Sequence, residues 1–130
     1  MATGQTNDTG FKAFLAGEAL EAFRRVKVTT ANTRPATVVY ADAGDVADAV
    51  TTEKVANAEY VSCRLKNAGG TVAIETVTAI GTPGITLYGA LDGKVSTAEV
   101  GEAEWKSLEA ASGSGSILEC LCKYIYTPAS

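Results

Sequence analysis

The residues in this chain that could do chemistry are few, and histidine is not among them. Without imidazole there is no Ser-His-Asp or Cys-His arrangement and no histidine metal site, and the commonest general base is missing. Cys120-x-Cys122 lacks the two-residue spacer of a zinc half-site, and Cys63 alone cannot complete four ligands. The pair reads better as two small apolar residues on one strand face. An odd number of thiols is not a disulfide framework, so none is expected. No metal and no cofactor are predicted.

The carboxylates Asp42, Asp45 and Asp48 recur at every third position, as calcium-loop ligands do. The glycine and distal glutamate of the helix-loop-helix pattern are misplaced, so the stretch is expected to be a solvated loop. Glu99, Glu102, Glu104 and Glu109 are likewise expected to form a wet face rather than a catalytic acid pair. Gly89-Ala90-Leu91-Asp92-Gly93-Lys94-Val95-Ser96 has three residues between its glycines, and Val95 follows the lysine. A phosphate loop needs four, then Ser or Thr, so a hairpin turn at Asp92-Gly93 is predicted instead. No catalytic residue emerges, and the chain is not expected to be an enzyme. Trp105, Phe11 and Phe14 fit two roles, core residue or interface anchor.

The elements that must position these residues are strands. Val61, Cys63 and Leu65 alternate with polar neighbours, and after Asn67-Ala68-Gly69-Gly70 the positions Val72, Ile74, Thr76, Thr78 and Ile80 share a parity. The stretch 60–80 is predicted to be a β-hairpin. Thr37-Val38-Val39-Tyr40 is a short strand, a strand is expected over 85–88, and a last strand over 117–126 places Leu118, Cys120, Cys122, Tyr124 and Tyr126 on its inward face. Two segments stay open. Residues 11–30 fit either an amphipathic helix or strands broken at Ala16-Gly17-Glu18, and 96–112 has capping-box spacing at Ser96 and Glu99 but carries Gly101. One helical turn is expected near 52–57. Turn signals recur about every ten residues, which predicts a mainly β fold: one small barrel- or sandwich-like domain over 11–130, with at most one or two short helices. Residues 1–10 are polar and turn-rich and are read as an extended N-terminal arm.

The totals set further bounds. A chain of 130 residues with 46% hydrophobic content can bury one core. A net charge of −4 speaks against nucleic acid or an anionic membrane as a partner, because Arg24-Arg25-Lys27 is the only basic cluster. No apolar run approaches a span of roughly 18 residues, and the N-terminus does not read as a secretory signal. The product is therefore expected to be made in the cytosol and either kept there or released by lysis.

In sequence order, the segments resemble a known family. Phe14-x-Ala16-Gly17-Glu18-Ala19-Leu20 leads to Arg24-Arg25-Val26-Lys27-Val28, then Val39-Tyr40-Ala41-Asp42-Ala43-Gly44-Asp45, then Val61-x-Cys63-Arg64-Leu65-x-Asn67-x-Gly69-Gly70-Thr71. Leu87-Tyr88-Gly89-Ala90-Leu91-Asp92-Gly93-Lys94-Val95-Ser96, Ser107-Leu108-Glu109-Ala110-Ala111-Ser112 and a closing strand follow. Together, over roughly residues 11–126, they resemble the capsid decoration, or cement, proteins of tailed bacteriophages. Ala49 and Lys106-Ser107 stand where relatives often have glycine.

The resemblance implies a β-barrel-like domain on the outer surface of a phage head, in the virion, commonly as a homotrimer. The partner would be the major capsid protein, engaged in part by the arm. It also favours strands over 11–30. The contact residues expected on this reading are Thr3, Gln5, Thr6, Asn7, Phe11, Phe14 and Trp105. A second class also fits a small β domain: a virion-surface module that binds carbohydrate or a host surface.

Overall fold

Alternating apolar residues set the strands, and their pairing sorts them into two units. The computed structural model of the protein describes residues 9–123. Strands β1 (Phe11–Ala16), β2 (Arg25–Val28), β3 (Thr37–Tyr40), β4 (Ala49–Thr51) and β5 (Tyr60–Leu65) close into a barrel in the order β1-β3-β2-β4-β5. Neighbours are antiparallel except β1 and β3, which run parallel with Ala16 opposite Val38. Strands β6 (Thr71–Glu75), β7 (Thr86–Gly89), β8 (Val95–Ser96), β9 (Ala103–Ser107) and β10 (Ile117–Cys122) form a second sheet in the order β6-β10-β9-β7-β8. A 3-10 turn, Leu91–Gly93, joins β7 to β8 as the predicted hairpin.

Each unit has its own core. The barrel buries Phe14, Leu20, Val26, Val38, Val61 and Cys63; the sheet buries Ile74, Ile80, Leu87, Val95, Trp105 and Leu118. Strand β4 serves both: Ala49 points into the barrel and Val50 into the sheet's core, because successive strand side chains face opposite ways. The outer wall of the barrel is therefore interior on one side.

The mainly β class is as predicted, with a closed barrel and no α-helix among the described residues. The hairpin over 60–80 is corrected. Strands β5 and β6 both exist, but β5 pairs with β1 and β4, while β6 pairs with β10. A strand inside a closed barrel has both edges occupied, so residues 67–70 cross from barrel to sheet instead of turning back.

The helical readings give way to strands for identifiable reasons. Gly17 donates its N–H to the Val38 carbonyl, and a Cβ there would stand 2.9 Å from the side chains of Thr37 and Val39. That close approach to β3 excludes a helix over 11–30. At 96–112, Gly101 adopts φ +72° and packs on Gly44 before β9 begins. Near 52–57, Leu20 and Val55 exchange backbone hydrogen bonds at 2.9 and 3.0 Å, which is extended pairing and not a helical turn.

Candidate functional site

The barrel and the sheet meet over a buried polar cluster that the sequence reading did not find. Arg25 sits on β2 one residue before Val26; Val26 fills the barrel, so Arg25 points outward to the sheet. The residue is 0% exposed. Its Nη2 donates to the carbonyls of Ala41 (2.7 Å) and Ala90 (3.2 Å), its Nε to that of Lys94 (3.0 Å), and its Nη1 to Glu104 Oε1 (3.4 Å). Burial pulls the guanidinium pKa down, and the carboxylate of Glu104, with those of Asp45 and Asp42, acts against that pull. Glu104 is 3% exposed, and its Oε2 accepts from the Ala47 N–H and from Lys66 Nζ. The expectation that Glu104 belongs to a wet face is thereby corrected: Arg25 and Lys66 supply the counter-charges that let a carboxylate stay buried.

Beside it, Arg24 bonds Glu75 Oε1 (3.3 Å) and the Asp92 carbonyl (3.0 Å), and Lys94 Nζ reaches Glu75 Oε2 (3.3 Å). The turn read as a faint phosphate loop is part of this joint. A Cβ on Gly89 would stand 2.5 Å from Arg25 Nη2, and one on Gly93, at φ +74°, 2.4 Å from the Arg25 carbonyl. These glycines admit the arginine rather than a phosphate. The one signal in the sequence was parity, since Arg25 lies opposite Val26 on a strand; nothing local showed that the outer face is covered.

The other chemical candidates are structurally committed. Asp45 accepts from Lys27 Nζ (2.8 Å), which holds its carboxyl below the usual range; Asp48 accepts from the Val28 N–H (2.8 Å) and Asp42 from that of Asp92 (3.0 Å). Among the described residues no group of His, Cys, Asp and Glu is placed to hold a metal ion. Cys63 lies in the barrel core and Cys120 in the sheet core, all three cysteines are free, and burial pushes both of those thiols up to about 12. Cys122 is half-buried, and burial raises its thiol too.

The predicted contact residues are not brought together. Thr3, Gln5, Thr6 and Asn7 lie outside the described residues. Phe11 is 44% exposed, with the Arg64 guanidinium over its ring. Phe14 (4%) and Trp105 (0%) do not: each is the core aromatic of its unit, so the anchor role is corrected to core.

What the surface does offer is apolar area at the joint. A groove of about 790 Å³ runs between the units, lined by Val28, Val46, Leu65, Ala68 and Cys122 over Phe14. Leu91 and Val100 stand exposed on the loops that pack against residues 42–45.

No protein-family model and no curated protein matches the sequence. Among solved structures, the fold is similar to the N base of head fiber gp8.5 in bacteriophage phi29, with a TM-score of 0.70 over 87% of this chain and 92% of that one. Identity is 12%, so the likeness is one of fold.

Proposed function

We propose that the chain is a structural, non-enzymatic protein of a phage head, carried in the virion on the outer surface of the shell. In this reading it binds the major capsid protein as a decoration, or cement, protein, assembles as a homotrimer and reinforces the shell. The observation that carries the proposal is the near full-length likeness of fold to a head fiber base. The order of sequence segments resembling decoration proteins supports it independently.

The physical logic is consistent with this role. Decoration requires shape-matched area and no reacting group, and weak contacts repeated by an oligomer hold what one copy would not. A polar arm that becomes ordered on docking adds backbone hydrogen bonds along a neighbour's strand edge.

Sedimentation with undecorated, expanded heads tests the proposal. The whole chain is expected to pellet with heads, and a chain lacking residues 1–10 is expected to stay folded and remain in the supernatant. Equal occupancy by both would remove the arm from the account. Glycan binding by the isolated chain, without binding to heads, would replace it with a carbohydrate-binding module.

A further inference from the structure

The second sheet has a strand edge left uncovered by the described residues. Strand β6 pairs with β10 on one side only. The Glu119 carbonyl turns away from it to accept from the Leu108 N–H, and the Glu75 N–H turns away from β10 to the Phe23 carbonyl. Backbone groups at alternate residues of an antiparallel strand point to the same side. Thr71 and Ala73 share the parity of Glu75, and Ala73 stands opposite Glu119, so both aim their N–H and C=O outward. They open onto a cleft of about 180 Å³ against the barrel wall, lined by Val50, Thr52, Arg64 and Phe11. Past Glu75 the edge closes, because Val77 donates to the Val95 carbonyl and brings the chain against β8.

Arg64 adds charge to this edge. Its guanidinium lies 5.0 Å over the Phe11 ring and bonds the Gly69 carbonyl, but it makes no ion pair among the described residues. Its Nε is buried without an acceptor. The cleft thus offers outward backbone donors and acceptors beside an unpaired cation, which suits an extended peptide carrying a carboxylate.

We propose that the cleft receives residues 1–8 of a second copy of this chain, added to β6 as a strand with Asp8 on Arg64. Among its side chains that segment has one carboxylate, no cationic group and no aromatic ring, and apart from Met1 and Gln5 its residues are small, matching the narrow cleft. Fully extended, it reaches roughly 26 Å, enough to cross to a neighbour. The inference rests on the self-assembly part of the proposed function and is read without heads.

The test is association of the purified chain by analytical ultracentrifugation, with Trp105 fluorescence confirming the fold. The full chain is expected to self-associate at micromolar concentration. Deleting residues 1–8 removes the donor strand; Ala73→Pro removes an N–H that faces the cleft and no bond to β10. Each is expected to be monomeric. Mixed, they should form a one-to-one dimer, because the deletion variant keeps the cleft and Ala73→Pro keeps the arm.

Should Ala73→Pro fail to fold, Arg64→Glu takes its place and is expected to weaken association by about tenfold or more. Self-association unchanged in the variants, or no complementation in the mixture, would overturn this interface and leave assembly by another route standing. A monomeric full chain would overturn both, including the case in which the Ala73 amide is protected by the chain's own arm.

Discussion

The barrel and the second sheet contain five strands each, yet they end differently. In the barrel, β1 bonds both β3 and β5, so the ring closes with no strand edge inside it. Among the described residues the second sheet stops at β6 and β8, whose sides are drawn together by the contacts of Thr76 and Val77 with Val95 and by the ion pair of Glu75 with Lys94. Closure makes the barrel a scaffold, whereas among the described residues the second sheet leaves the outward backbone groups of Thr71 and Ala73 uncovered. What joins them is apolar packing of Val50, Ala41 and Ala47 in the sheet's core together with a buried polar contact, Arg25 from the barrel against Glu104 and the carbonyls of Ala90 and Lys94 from the sheet.

The strongest way to break this comparison is to remove the joint. Arg25→Ala strands Glu104 and several buried carbonyls, and is expected to destabilise by about 3–5 kcal/mol. Urea unfolding followed by circular dichroism would report it, as a lower midpoint or as two separated transitions. A shift below about 1 kcal/mol would mean that the joint does not couple the units.

Core truncations sharpen the same point from either side. Trp105→Ala in the sheet is expected to cost about 3–5 kcal/mol and Leu20→Ala in the barrel about 2–5 kcal/mol. If the units fold together, both move one common transition.

Gly93→Ala, at a left-handed position against the Arg25 backbone, is expected to cost about 1–3 kcal/mol, measured in the same way.

Thiol reactivity compares the two cores without changing stability. Native protein at mildly alkaline pH should react with a thiol reagent first at Cys122, while Cys63 and Cys120, pushed to about 12 and buried, react only on opening. Equal rates at all three would contradict two closed cores. The smallest effect is expected at Asp45. Its folded pKa lies below the unfolded value, so its contribution is present above about pH 4 and is lost as pH falls through the folded value. Because the pair with Lys27 is substantially exposed, solvent screening keeps this small. A comparison of acid unfolding of Asp45→Asn with the parent would show it.

The strands were legible in the sequence wherever alternation was clean, as at Val61, Cys63 and Leu65 or at Leu118 and Cys120, because burial on one face imposes a period of two. Partners were not. That β5 pairs with β1 and β4 rather than β6 depends on barrel closure across the whole chain, which no local pattern around residues 67–70 encodes. Arg25 and Glu104 look like surface charges in sequence because their burial comes from a second layer folding over the barrel wall. Trp105 fitted both core and anchor by type, and packing decided for the core. Of the expected contact residues, Phe11 is exposed, while the cleft at Thr71 and Ala73 left no signal, because strand pairing and not residue type decides where an edge lies.

The central claim, that this is a head-surface protein, is tested most directly by electron cryomicroscopy of undecorated, expanded heads incubated with the full chain. The account predicts added density on the outer surface at repeated lattice positions, into which the barrel and sheet fit as one rigid body. Heads that remain bare at saturating protein would contradict it.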